Sequence, residues 1–155
     1  MKPLYIFDLD GTLALIEHRR HYVERPHGER DWKAFYAACD KDAPNDPVID
    51  TMERLREAGA DIWIFSGRSD EVRPQTIQWL ADKTTFMSWD LAGPMLTMRK
   101  AGDYTPDDAL KRQWFDDMLV SDKARLVAVF EDRARMVKMW RAAGVPCFQV
   151  AEGEF

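Results

Sequence analysis

Leu4-Tyr5-Ile6-Phe7-Asp8-Leu9-Asp10-Gly11-Thr12 begins with four apolar residues and closes on two acids, a glycine and a threonine. The apolar run is short and rich in strand-forming side chains, so it reads as a buried strand beginning at Leu4. Asp8 and Asp10 lie two residues apart, and extended backbone projects both carboxylates to the same side of the strand end. Gly11 lets the chain turn sharply there. Asp-Gly is also a common turn pair, but a turn alone does not account for two acids and a hydroxyl after an apolar strand. The stretch therefore predicts a polar site at the carboxyl end of a first, central strand.

Working outward, short apolar strands alternate with amphipathic helices. Asp46 reads as the N-cap of a helix with Pro47 in first position, an apolar stripe of Val48, Ile49, Met52 and Leu55, and Gly59 after its end. Asp61 to Phe65 reads as a second strand, and Ser69 as the cap of a helix carrying Val72, Ile77, Trp79 and Leu80. Pro94 to Met98 reads as a short strand. Thr105-Pro106-Asp107-Asp108 reads as a helix start, with Thr105 as cap and the helix running to Met118 or Leu119. Arg125 to Phe130 and Pro146 to Val150 read as strands around a helix from Ala134 to Ala143, ended by Gly144. The pattern predicts an α/β fold, a three-layer doubly wound parallel sheet covered on both faces. The polar, aromatic stretch 15–45 breaks the rhythm and reads as a small cap-like insertion after the first strand, within a single domain spanning 1–155.

Composition narrows the class. With 46% hydrophobic and 32% charged residues the chain is ordinary for a globular domain, which argues against disorder. Its apolar runs reach five or six residues, as in Leu126 to Phe130, far short of the roughly 20 needed to span a bilayer, so no membrane partner is expected. Met1-Lys2-Pro3 leads straight into a strand without a secretory pattern, and Cys39 and Cys147 lie far apart, so a reducing cytoplasm is expected. The net charge of −5 argues against a large electrostatic footprint on nucleic acid, leaving Arg19, Arg20 and Arg25, with His18 and His21, as the densest basic stretch.

Three further groupings fall at strand ends or helix starts. Ser66-Gly67-Arg68 follows the second strand and offers a hydroxyl, loop N–H groups and a guanidinium fork to a phosphate. Lys111 lies one helical turn after Asp107, a spacing that a surface ion pair would also explain. Glu131-Asp132-Arg133 follows the strand ending at Phe130, where acids serve either as a helix cap or as metal ligands.

Taken in order, Asp8-x-Asp10-Gly11-Thr12, then Ser66, then Lys111, then Glu131-Asp132, the chain resembles the haloacid dehalogenase (HAD) superfamily of phosphotransferases. The resemblance implies a HAD-like Rossmannoid fold and Mg²⁺-dependent phosphatase chemistry. Asp8 would be the nucleophile, forming an aspartyl-phosphate. A carboxylate, with a reference pKa of about 3.9, needs no base to activate it. Asp10 would be the acid and then the base, and Lys111 would stabilise charge on the transferring group. Asp8, Asp10 through its backbone carbonyl, Asp132 and Glu131 would form the metal set, and Thr12, Ser66 and Gly67 would line the phosphate site.

Within that superfamily, four stretches are similar to the 3′-phosphatase domain of T-even phage polynucleotide kinases. They are Phe7 to Ala14, Ser66 to Arg68, Gly102-Asp103 with Asp107, Asp108 and Lys111, and the tail from Glu131 through Met139-Trp140-Arg141, Gly144-Val145 and Gln149-Val150-Ala151 to Gly153. This implies that Arg19 and Arg68 bind phosphate or support the pocket, and that Asp107 orients Lys111. It also suggests a phage or prophage origin, hence the host cytoplasm. Glu131 stands where the family carries Asp. No Gly-x-x-x-x-Gly-Lys-Ser/Thr loop occurs, so no kinase domain is expected in this chain.

The expected substrate is a phosphorylated nucleic acid end, chiefly a 3′-phosphate, with a nucleotidase acting on free nucleoside monophosphates as the alternative. A non-catalytic binding module of the same fold is a third reading, opposed by the presence of Asp8, Asp10, Ser66, Lys111 and Asp132 together. Trp32, Phe35 and Tyr36 lie at helical spacing and either stack a base or pack the core of a short helix.

Overall fold

The computed structural model describes residues 1–154; Phe155, the last residue of the expected 1–155 unit, lies outside the described residues. Strand β1 is Leu4–Asp8. A short antiparallel pair, β2 (Ala14–Leu15) and β3 (Ala43–Pro44), brackets helices α1 (Glu17–Arg20) and α2 (Trp32–Ala37). Then follow α3 (Asp46–Glu57), β4 (Asp61–Ser69), α4 (Arg73–Lys83), α5 (Ser88–Leu91), β5 (Leu96–Arg99), α6 (Asp107–Asp117), α7 (Val120–Arg125), β6 (Leu126–Glu131), α8 (Ala134–Ala142) and β7 (Cys147–Gln149). The five long-sheet strands lie in the order β5-β4-β1-β6-β7, and every pairing is parallel.

Alternation along the strands feeds two cores. Phe7 on β1 and Ile62 and Ile64 on β4 face one side, where Val48, Ile49 and Met52 of α3 and Trp79 and Leu80 of α4 cover them. Ile6 on β1 and Phe65 on β4 face the other, against Val137 and Trp140 of α8 and the partly buried Trp114 and Phe115 of α6. Helices on both faces and apolar strands buried between them are the three-layer arrangement that the sequence predicts. The chain leaves β1 for β4 and β5 on one side, then crosses to β6 and β7 on the other. The point of reversal, at the carboxyl end of β1, is where such sheets hold ligands.

Several boundaries move. Asn45, not Asp46, precedes α3, because its backbone N–H is held by the Leu13 carbonyl at 2.8 Å and its side-chain amide by the Thr12 carbonyl at 2.8 Å. Thr105 does not cap α6. Its hydroxyl and backbone N–H both donate to Asp103 Oδ1, at 2.6 and 2.9 Å, closing a turn that leaves Pro106 at the cap position. Helix α7 escapes the hydrophobic pattern because it buries no residue at all. Among the described residues no helix is long and apolar enough to cross a membrane.

Candidate active site

Asp8 ends β1 with its side chain buried, and α6 delivers Lys111 to it from the opposite side of the chain order. The ammonium of Lys111 donates to Asp8 Oδ1 at 2.5 Å and to Glu131 Oε2 at 2.9 Å. Burial works against that ammonium, but Asp8 and Glu131 outweigh it and raise its pKa above the ordinary lysine value. The Thr12 hydroxyl lies 3.2 Å from Asp8 Oδ2 and 3.4 Å from Asp132 Oδ1. Thr12, expected at the phosphate site, is fully buried and lies between these two carboxylates. Gly11 has φ of 84°, and a Cβ there would lie 2.1 Å from Asp132 Oδ2. Both facts demand glycine, and both bring the turn hard against the acid that follows β6.

Asp8, Glu131 and Asp132 each offer a carboxylate oxygen within 4.8 Å of the others. One ammonium faces three buried carboxyls. Burial and then Asp8 push Asp132 up to about 7, and push Glu131 well above the usual carboxylate range. Glu131 Oε1 is buried without a hydrogen-bond partner. Crowded oxygen ligands, an orphaned carboxylate oxygen and a charge deficit fit a hard divalent cation. The side chain of Asp10 stands apart from this cluster, so of the four residues expected as ligands it is the one whose carboxylate points elsewhere.

Asp10 instead faces the insertion. Arg19 Nη2 donates to Asp10 Oδ1 at 2.7 Å and Arg68 Nε at 2.8 Å. Burial alone would raise the Asp10 pKa, but the two guanidiniums overcome it and hold the carboxyl below its ordinary value. Behind them lies Asp42, which the sequence reading missed. It accepts from Arg19 Nε and Nη2 at 2.7 Å each, from Arg68 Nη2 at 2.8 Å, and contacts His18 Nε2 at 2.7 Å. Its carbonyl accepts from Trp79 Nε1 at 2.8 Å, fixing it to α4. Arg19 and Arg68 are fully buried in this network. They support Asp10 and do not present a free fork to phosphate. Arg19 therefore also leaves the basic surface stretch in which the sequence places it, while Arg20 pairs with Glu24 and Arg25 donates to the His21 carbonyl.

A third group lies at the end of β4. The Ser66 hydroxyl is buried and accepts the Arg68 backbone N–H at 3.2 Å. Gly67 passes so close to Asp107 that a Cβ would lie 2.8 Å from Oδ1. Asp107 does not orient Lys111. It pairs with Arg99 and, at 2.5 Å, with Arg133, while Asp8 and Glu131 orient the lysine. Arg99 also donates to the Gly67 carbonyl at 3.0 Å, and the Tyr36 hydroxyl donates to the same oxygen at 3.3 Å. Arg99, a basic residue at the end of a strand-like run, carried a positional signal. Asp42 carried none, since it lies in irregular polar sequence.

The profile of the HAD-type polynucleotide kinase PNKP phosphatase domain matches residues 2–155. The chain belongs to this family. It is a HAD-family phosphatase domain, and the Asp8–Glu131–Asp132 cluster is consistent with a metal site in such a domain. The chain is 29% identical over 140 residues to a bifunctional polynucleotide kinase/RNA ligase of Autographa californica nuclear polyhedrosis virus, covering 90% of this chain and 18% of that protein. A chain in the structure of the Pnkp1/Rnl/Hen1 RNA repair complex superposes with a TM-score of 0.76 at 27% identity, over 99% of this chain and 44% of that one. This chain thus spans less than half the length of either relative. The class C acid phosphatase from Bacillus anthracis, at 15% identity, a TM-score of 0.63, and coverage of 99% of this chain and 68% of that one, shares the fold.

Proposed function

We propose that this domain is a Mg²⁺-dependent phosphomonoesterase that removes 3′-phosphate from polynucleotide ends through an aspartyl-phosphate on Asp8. The observation that carries the reading is the buried Asp8 carboxylate, pinned by Lys111 at 2.5 Å in a chain of the polynucleotide kinase phosphatase family. Asp8, Asp132 and the Asp10 carbonyl would hold Mg²⁺, whose charge would offset the repulsion between carboxylate and phosphate. Glu131, bound to Lys111, sets the position of the ammonium that meets the phosphate oxygens.

Asp8 attacks phosphorus while the bond from phosphorus to the leaving sugar oxygen breaks. That oxygen takes a proton from Asp10. The two arginines keep Asp10 anionic in the free enzyme, so the proton arrives with a phosphate monoanion and is relayed through Asp10 to the leaving alcohol. Water then attacks the aspartyl-phosphate, its proton passes to Asp10, and Asp8 is regenerated with release of inorganic phosphate. The segment 15–45 acts as a cap, joined to the chemistry through Arg19 and Asp42. The buried free thiols Cys39 and Cys147 accord with a reducing, cytoplasmic setting.

The test is phosphate release with Mg²⁺ from a 3′-phosphorylated oligonucleotide and, in parallel, from free 3′- and 5′-mononucleotides, with Asp8→Asn as blank. A higher kcat/KM on the oligonucleotide supports the reading. Preference for the mononucleotides replaces it with a nucleotidase.

A further inference from the structure

The aromatic residues of α2 divide into two that are anchored and one that is left over. The Asp31 side chain accepts the Ala34 N–H at 2.9 Å and fixes the start of the helix at Trp32. Phe35 and Tyr36 are then three and four residues on, so all three rings share one helix face. That face is turned to the site. The Arg19 guanidinium lies 4.3 Å from the Phe35 ring centroid, and Phe35 is buried. The Tyr36 hydroxyl reaches the Gly67 carbonyl, the atom that also receives Arg99. Trp32 packs on both, 5.7 Å from Phe35 edge-on and 5.9 Å from Tyr36 with planes 32° apart, yet remains 46% exposed.

A half-exposed indole is a large apolar surface left in water. Here it continues a ladder of rings that starts at the arginine holding Asp10. Core packing accounts for Phe35 and explains the strut made by Tyr36, but it leaves Trp32 unexplained. We propose that Trp32 is a stacking platform for the nucleobase of the phosphate-bearing terminal nucleotide, and that it determines the preference for nucleotide ends over other phosphomonoesters. The inference rests on the polynucleotide reading above. An indole face accepts any base, so the platform selects for a base and not for its sequence. Tyr36 holds the platform at a fixed height above the Gly67 turn.

Two oligonucleotide 3′-phosphates test this, one with an intact terminal nucleotide and one whose terminal nucleotide is abasic, each at saturating Mg²⁺. The wild-type protein is expected to prefer the intact end through KM. Trp32→Ala is expected to raise KM for the intact end by about tenfold, leave kcat within about twofold, and leave the abasic end unchanged, so that the preference collapses. Trp32→Phe restores part of it. A Trp32→Ala protein that keeps the base preference, or loses equally on both ends, overturns the inference while the polynucleotide reading stands. A wild-type protein that hydrolyses p-nitrophenyl phosphate but neither oligonucleotide overturns both.

Discussion

Two charge clusters meet at Asp8-Leu9-Asp10, and they are built on opposite plans. On one side Asp8, Glu131 and Asp132 share a single ammonium from Lys111, and one carboxylate oxygen has no partner. On the other, Asp10 and Asp42 meet two guanidiniums, Arg19 and Arg68, in short contacts that leave neither side in excess. The first cluster is under-neutralised, and in the proposed mechanism a cation and a phosphate complete it. The second is complete in itself and fixes Asp10, the proton-transfer residue of the proposed mechanism. Two acids one residue apart thus meet different surroundings because different elements supply their counter-charges.

The contrast breaks most visibly at Asp8. Asp8→Asn is expected to lower phosphatase activity by about 10⁴-fold or more. Because it also removes a crowded charge, the metal-free protein should melt no lower than wild type. Phosphate release and a thermal melt on the same sample check both halves.

Asp42→Ala should do the reverse, leaving two buried guanidiniums short of an anion. The expected loss is about 3–5 kcal/mol of stability in chemical denaturation, with activity down about 100-fold as Asp10 loses its setting. A variant as stable as wild type would show that the network is not self-contained.

Opposite pH dependences sharpen the comparison further. A carboxyl whose pKa is raised by folding contributes stability that is fully present below its unfolded pKa of 3.8. For Asp132 this is lost as pH rises towards about 7, so the metal-free protein should lose stability through that window. Asp10 is lowered, so its contribution holds above 3.8 and is lost as pH falls through its folded pKa. Added Mg²⁺ should raise the melting temperature more at pH 8 than at pH 5.5. An equal shift at both would contradict the acidic cluster as the metal site.

Thr12→Val is the mildest change. Its hydroxyl contacts of 3.2 and 3.4 Å are long, so about 1 kcal/mol of stability and less than tenfold in kcat are expected, measured by melt and steady-state rate.

The sheet was legible because parallel strands buried on both faces read as apolar runs, and because Gly59 and Gly144 end the helices before them. The meeting of Asp8, Lys111 and Asp132 was legible because the two acids sit at strand ends and the lysine on the helix between them in chain order. The arginine network was not. Arg19 looked like a surface base because its partner Asp42 lies in irregular sequence, where no period reports burial. Asp107 and Lys111 are spaced as a helical pair, yet long-range partners from β5 and β6, Arg99 and Glu131, and Arg133 just after β6, take them apart. Trp32, Phe35 and Tyr36 share one spacing but not one environment, which depends on what the helix lands on.

The proposed mechanism turns on phosphorylation of Asp8. An Asp10→Asn protein given p-nitrophenyl phosphate tests it most directly, because this leaving group needs no acid while the hydrolysis step still needs the base. A burst approaching one p-nitrophenol per active site is expected, with phosphate trapped on the peptide containing Asp8 after acid quench. Release without a burst, with no phosphate on that peptide, would contradict it.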